Sequence, residues 1–179
     1  MTSDLRLQTE RLNLVPFTLE VVDALDRHDR AERLIGATIP DDWPDEDLGG
    51  LVSLYADWIR ADPSVVGFGP WVVIARAEHV VVGSAGFIGK PGPERTIELG
   101  FGTHPDYRNR GYASEAGRAL AEWGLDQPGV DRVIAKCDPD NVASVRVLEK
   151  IGMNRVGEAD GQILWDLLAR AERSATLPG

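Results

Sequence analysis

Cys137 is the only cysteine in this 179-residue chain, so no intrachain disulfide can form. The fold must then rest on burial, and a reducing, cytoplasmic setting is expected. Basic residues are in deficit: 19 Lys and Arg stand against 29 Asp and Glu, a formal net charge of −10. A surface of that sign repels phosphate backbones and anionic lipid, which excludes bulk nucleic-acid and membrane-surface partners. Long apolar runs are missing too; none approaches the roughly 20 residues of a bilayer-spanning helix. Residues 1–6 carry no apolar stretch, so no secretory leader is expected. His28, His79 and His104 are scattered without metal-ligand spacing, and no metal is predicted. Repeats, low-complexity tracts and long linkers are absent. The length suits one domain over residues 1–179, with a core at about 5–168.

What is present reads as alternating structure. Leu5-Arg6-Leu7-Gln8 and Arg11-Leu12-Asn13-Leu14-Val15 alternate apolar with polar, as strands do. Thr18 can cap a helix running to about residue 28, with Leu19, Val22 and Leu25 on one face. Residues 36–47 form a Pro- and Asp-rich loop, and 48–60 suit a helix with Leu51, Leu54, Tyr55 and Trp58 on its apolar side. The β-branched runs 71–75 and 79–88 predict a hairpin. Residues 96–103 form a strand, and 111–125 a helix stopped by Pro128-Gly129. Residues 130–137 form another strand, and 141–151 a helix ended by Gly152. A last strand pair covers 153–158 and 162–168, and the final ten or so residues are expected to fray. The sum is mixed α/β: a largely antiparallel sheet with one βαβ crossover, over residues 96–137, that brings two strands parallel.

The densest chemistry lies in Arg108-Asn109-Arg110-Gly111-Tyr112-Ala113, a basic, glycine-containing turn between a strand and a helix. The first N–H groups of a helix have no intrahelical partner, and the macrodipole adds positive charge there, so such a turn receives phosphate. Gly111 allows close backbone approach. The spacing Arg-x-x-Gly-x-Ala is neither the Walker pattern nor Gly-x-Gly-x-x-Gly. About 30 residues on comes Asn141-Val142-Ala143-Ser144-Val145-Arg146-Val147-Leu148-Glu149-Lys150-Ile151-Gly152-Met153. Asn141 and Ser144 are three apart and share a helix face near its start, where Asn141 also suits an N-cap. Between strand and loop, Ile97-Glu98-Leu99-Gly100-Phe101-Gly102-Thr103 carries two glycines, which fit a bulge or a close backbone approach.

These motifs resemble those of the Gcn5-related N-acetyltransferases. The turn is similar to the family's Gln/Arg-x-x-Gly-x-Gly/Ala pyrophosphate loop, and the second motif to Asn-x-x-Ser-x-x-x-x-Glu-Lys-x-Gly-Phe, with Met153 in place of Phe. Thr9-Glu10-Arg11-Leu12-Asn13-Leu14 resembles the opening strand of the RimJ/RimL-like branch, which acetylates protein N-termini. The resemblance is strong over residues 97–153 and weak over 31–70, where acceptors bind in the family. It implies a central sheet with a splayed parallel strand pair and flanking helices. It also implies acetyl-CoA as cosubstrate, lying in the splay with its pantetheine bonded to strand backbone. The implied donor-binding residues are Phe101, Thr103, Arg108, Arg110, Gly111, Tyr112, Ala113, Asn141, Ser144, Arg146 and Lys150.

The implied reaction is direct attack of a primary amine on the thioester in a ternary complex. The amine must lose a proton, and Glu98 matches the glutamate that serves as base in some members. Enclosure in a cleft would raise the pKa of such a carboxylate. Backbone N–H groups near Phe101 would polarise the thioester carbonyl. Many relatives use a tyrosine a few residues past the Asn as acid; residues 142–156 contain none, and Ser144 is the remaining positional candidate. The acceptor is a protein N-terminal α-amine or a small-molecule amine. Asp41-Asp42-Trp43-Pro44-Asp45-Glu46-Asp47 either attracts it or is a solvated loop, and Tyr55, Trp58 and Trp71 line the cleft or fill core. A non-catalytic module that binds CoA or acyl-CoA is the alternative, and a homodimer is compatible with either.

Overall fold

Apolar residues two apart can bury one face of a strand, and in this chain that pattern closes into a sheet covered on both sides. The computed structural model describes residues 5–169; the chain ends, with the expectations of no leader and of fraying, lie outside the described residues. The strands are β1 (Leu7–Gln8), β2 (Leu12–Pro16), β3 (Pro70–Ala75), β4 (Val80–Phe87), β5 (Thr96–Thr103), β6 (Arg132–Cys137), β7 (Asn154–Ala159) and β8 (Gln162–Leu168). The helices are α1 (Leu19–Val22), α2 (His28–Ile35), α3 (Glu46–Ala61), α4 (Tyr112–Leu125) and α5 (Val142–Ile151). Sheet order is β1-β2-β3-β4-β5-β6-β8-β7, antiparallel at every step except β5–β6. The mixed α/β architecture expected from the sequence is thus present.

β3 shows how the layers form. All six of its residues are buried. Trp71 and Val73 face one cluster with Leu99, Leu120, Val133 and Trp165, beneath α4 and α5. Val72 and Ile74 face the other, with Phe17, Tyr55, Ile59 and Val81, beneath α1 to α3. Each large apolar side chain so placed contributes about 1.5–3 kcal/mol. Tyr55 and Trp71 are therefore core, not cleft lining; both are fully buried. The Tyr55 hydroxyl donates to the Val65 carbonyl at 3.2 Å, and burial pushes its pKa up.

The crossover carries the functional geometry. β5 and β6 pair only at Thr96–Arg132, Ile97–Val133 and Glu98–Ile134. Beyond that point β5 stays with β4 as far as Thr103, while β6 stays with β8 as far as Cys137. The sheet therefore splits between Leu99 and Ala135. Gly117 and Gly124 let α4 lie close over the core: a Cβ at the first would meet Ile151 at 2.5 Å, and at the second Ile97 at 2.7 Å.

Four sequence expectations need correction. The helix after Thr18 ends at Val22; the chain continues in three-residue turns such as Ala24 N–H to Val21 and Arg27 N–H to Ala24, and only then forms α2. α2 itself escaped notice because only Ala31, Leu34 and Ile35 break its charged sequence, although Gly36, left-handed at φ 80, closes it. α3 starts earlier than expected, at Glu46, because Asp45 accepts from Leu48 N–H at 2.9 Å and acids favour a first turn. Its buried stripe is Val52, Tyr55, Ala56 and Ile59, with Leu54 half exposed; two stripes fit the spacing, and the position of the sheet selects one. Finally, β5 runs in unbroken register against β4, and the bulge lies in β4 at Val82, where Val73 pairs Gly83 and Ile74 pairs Val81.

α3 approaches the start of β3 so closely that a Cβ on Gly69 would stand 2.1 Å from the Tyr55 ring. That ring is buried and its hydroxyl is tethered, so it cannot yield cheaply. Gly69→Ala is expected to destabilise the fold by about 1–3 kcal/mol. Urea denaturation reads this as a lower midpoint at unchanged slope.

Candidate functional site

The loop expected to receive phosphate begins where β5 ends. Asn109 and Gly111 both take left-handed backbone, at φ 61 and φ 80, and so turn the chain sharply into α4. Among the described residues no side chain caps α4, which leaves the N–H groups of its first turn open to an outside acceptor. α5 differs: Asn141 Oδ1 accepts from Ser144 N–H at 3.1 Å, so the capping role that its sequence suited is filled. The Asn141 side chain is exposed and that of Ser144 half-buried at this start.

A clasp unseen in the sequence holds the loop. Glu115, in the first turn of α4, accepts from Thr9 Oγ1 at 2.6 Å, from Arg11 N–H at 2.8 Å and from Arg11 Nε at 2.7 Å. Arg11 also donates to the Arg110 carbonyl at 2.9 Å and lies 5.0 Å from the Tyr112 ring centroid. The turn Thr9-Glu10-Arg11, between β1 and β2, is thus tied to the phosphate turn 99 residues later. Burial raises the Glu115 pKa, but the bonds from Thr9 and Arg11 outweigh it and hold the carboxyl below its ordinary value of 4.5.

The other predicted donor residues sort into two groups. Arg108 and Arg110 are exposed but already engaged, Arg108 Nε with the Thr103 carbonyl at 3.3 Å and Arg110 with the Asp106 carbonyl at 3.1 Å. Tyr112 is buried, so only its backbone faces outward; Ala113, Phe101 and Thr103 are half-buried around the same corner. Arg146 and Lys150 are exposed on α5. A groove of 510 Å³ runs from Thr9 and Gly111 past Ser114 and Arg118 to Lys150. It brings Gly111 and Lys150 together and adds Arg118, which sequence reading passed over as a helix residue and which donates to the Lys150 carbonyl.

Across the split, β5 presents a different surface. Glu98, Gly100 and Gly102 alternate with Ile97, Leu99 and Phe101 and share the face away from α4. Among the described residues, a Cβ on Gly100 or Gly102 would meet nothing within 4 Å, so these glycines leave open space on this face and form no bulge. The close approach lies opposite, where a Cβ on Gly83 would stand 2.2 Å from the Gly102 carbonyl oxygen. Glu98 is not enclosed as expected. Its side chain is 28% exposed, and Oε2 lies 3.2 Å from Lys136 Nζ. None of the three tyrosines approaches Asn141 by hydrogen bond: Tyr55 and Tyr112 are buried, and the Tyr107 ring lies under Arg110 and tilted against His104.

The acidic run 41–47 divides. Asp45 to Asp47 start α3, while Asp42 Oδ1 lies 2.8 Å from His104 Nε2. His104 Nδ1 accepts from Asp106 N–H at 3.3 Å, so Nε2 carries the proton donated to Asp42. That hydrogen bond holds the Asp42 carboxyl below its usual range. It also ties the loop beside α3 to the segment leading into the phosphate turn. Among the described residues, no group of His, Cys, Asp and Glu could hold a metal ion, and no helix is long and apolar enough to cross a membrane.

The chain is similar to known proteins in sequence and in fold. A family model described as an acetyltransferase (GNAT) domain matches residues 11–154. The uncharacterized N-acetyltransferase YjdG of Bacillus subtilis is 31% identical over 147 residues, 82% of this chain and 88% of its own. A GNAT-family acetyltransferase from Bacillus anthracis aligns at 27% identity and TM-score 0.62, over 92% of this chain and 99% of its own. RimL, a ribosomal L7/L12 α-N-protein acetyltransferase solved with coenzyme A, shares the fold at 15% identity and TM-score 0.64, over 93% and 99%.

The Glu115 clasp yields a pH prediction. A carboxylate whose folded pKa is lowered stabilises the fold fully above its ordinary 4.5, and that contribution is lost as pH falls through the folded value. Glu115→Gln is expected to cost about 1–3 kcal/mol at neutral pH, the scale of charge-assisted bonds. The gap from the parent should narrow well below pH 4.5. Paired urea titrations at neutral and acidic pH measure it; a gap independent of pH would assign the loss to shape instead.

Proposed function

The chain belongs to the acetyltransferase (GNAT) domain family and is an acetyl-CoA-dependent acyltransferase, and from that premise we propose that it N-acetylates a primary amine by direct attack in a ternary complex. The observation that carries this reading is the split beyond Glu98 and Ile134, with an uncapped helix start on one side and a carboxylate on the other. In the proposal the backbone N–H groups of residues 110–113 receive the pyrophosphate. Arg108, Arg110, Arg146 and Lys150 add charge, though the first two must loosen from their carbonyl contacts to do so. The pantetheine lies along the edges that β5 and β6 leave unpaired, where Phe101 and Thr103 supply backbone donors and acceptors.

The acceptor comes to the face of Glu98, where Gly100 and Gly102 leave room. An ammonium must lose a proton before it can attack, and Glu98 takes it directly or through water. Ser144, half-buried at the start of α5, is the candidate to stand near the departing sulfur. A coenzyme thiol, with a pKa of about 8.5 by analogy with cysteine, leaves without a strong acid, so the absence of a tyrosine after Asn141 does not argue against turnover. The acceptor is a protein N-terminal α-amine, as in the RimJ/RimL-like branch that residues 9–14 resemble, or a small-molecule amine; the net charge of −10 favours cationic acceptors. Turnover of acetyl-CoA against a panel of peptides and amines distinguishes these, and no turnover with tight coenzyme binding would instead fit a binding module.

Two substitutions test the placement. Gly111→Val puts a branched side chain where phosphate oxygens must come; calorimetry should show acetyl-CoA affinity falling at least about tenfold, the equivalent of ~1.4 kcal/mol. Unchanged affinity in a folded variant would remove the pyrophosphate from this turn. Glu98→Gln keeps shape and removes basicity, so the rate should drop about 10²-fold at neutral pH. The defect should shrink as pH rises and more amine is already neutral. Equal rates across pH would place the base elsewhere.

A further inference from the structure

Lys136 brings a primary amine of the chain's own to the candidate base. Ile134 pairs directly with Glu98, and Lys136 follows two residues later on the same face of β6, just past the point where the strands part. Its side chain reaches back over the mouth of the split, with Nζ 3.2 Å from Glu98 Oε2 and 41% of the side chain exposed. An acceptor amine would have to stand in this same place. Lys136 is also one residue from Ala135, whose strand edge turns toward the split once β5 has diverged.

We propose that Lys136 is a modification site, acetylated on Nζ by the acetyl-CoA bound to its own chain. This rests on the reading of Glu98 and the donor cleft given above. The Lys136 ammonium passes one proton to the Glu98 carboxylate, and the neutral nitrogen attacks the thioester carbonyl carbon. The C–N bond forms as the C–S bond breaks. The nitrogen's second proton goes to the departing thiolate, and Glu98 returns the first to water. The products are Nζ-acetyl-Lys136 and free CoA, with no oxidant or further reactant. The acetyl group removes the ammonium charge, so the ion pair is lost and Glu98 is left open to an outside amine.

The lysines of the chain are Lys90, Lys136 and Lys150, so the experiment carries its own comparators. Lys90 Nζ is held by Asp62 at 3.1 Å and Ser64 at 2.7 Å, beside α3, and Lys150 is exposed at the end of α5. The full-length chain is incubated with isotope-labelled acetyl-CoA, and each lysine is read by peptide mass spectrometry. Lys136 should label at least about tenfold faster than Lys90 and Lys150, a modest share of what held proximity can supply. Its rate constant should not depend on protein concentration. Glu98→Gln should slow Lys136 about 10²-fold and leave the other two unchanged. In urea the three lysines of the parent should label alike.

Calorimetry with acetyl-CoA on the same preparation separates two failures. If the coenzyme binds and Lys136 labels no faster than its comparators, the modification is overturned while the donor cleft stands. If the coenzyme does not bind, both fall. A lead for Lys136 that survives Glu98→Gln or urea would also overturn the proposal, because the geometry would not be its cause.

Discussion

The short parallel pairing of β5 with β6 governs the molecule. Each strand has an antiparallel neighbour of its own, β4 for one and β8 for the other, and each follows that neighbour once the shared pairs end. Antiparallel ladders are somewhat more stable per residue than parallel ones, so the split costs least at the parallel step. It opens backbone edges inside a sheet whose two outer halves stay intact. The α4 start, the Glu98 face and the Lys136 contact all take their positions from that opening.

Electrostatics at the site run against the whole. The chain is strongly acidic, yet the open α4 start is flanked by Arg108, Arg110, Arg118 and Lys150. Such local positive potential suits an anionic donor, while the general negative field suits a cationic acceptor. Two long-range contacts hold the site together. Arg11 and Thr9 fasten the turn between β1 and β2 to Glu115 in α4, and His104 fastens the loop before α3 to the segment after β5. Both link residues that meet only when the sheet has formed.

Legibility followed the range of the interactions. The βαβ unit, the Gly111 turn and the Asn141 helix start were readable because their signals are local: alternation, a glycine stop, a capping side chain. Thr18 and Gly152 behave as their types predict. Expectations failed where a local pattern left two options open. α3 could bury residue 51 or 52, and the sheet chose Val52. Gly100 and Gly102 could mark a bulge or a close backbone approach; the register put the bulge at Val82, and a Cβ at either glycine would meet open space. α2 was hidden by its charges.

The amino-acid order alone determined the strands, the crossover and the two motifs, though not α2, since hydrophobic periodicity and helix-end chemistry act over a few residues. Only the tertiary structure decided what those elements face. A carboxylate on a strand becomes a candidate base, or the partner of Lys136, according to where the next strand parts from it. Glu115 becomes a clasp only when Arg11 arrives from 104 residues away. Contacts of that separation leave no periodic trace in the chain, because they depend on the stacking of strands rather than on the spacing of residues.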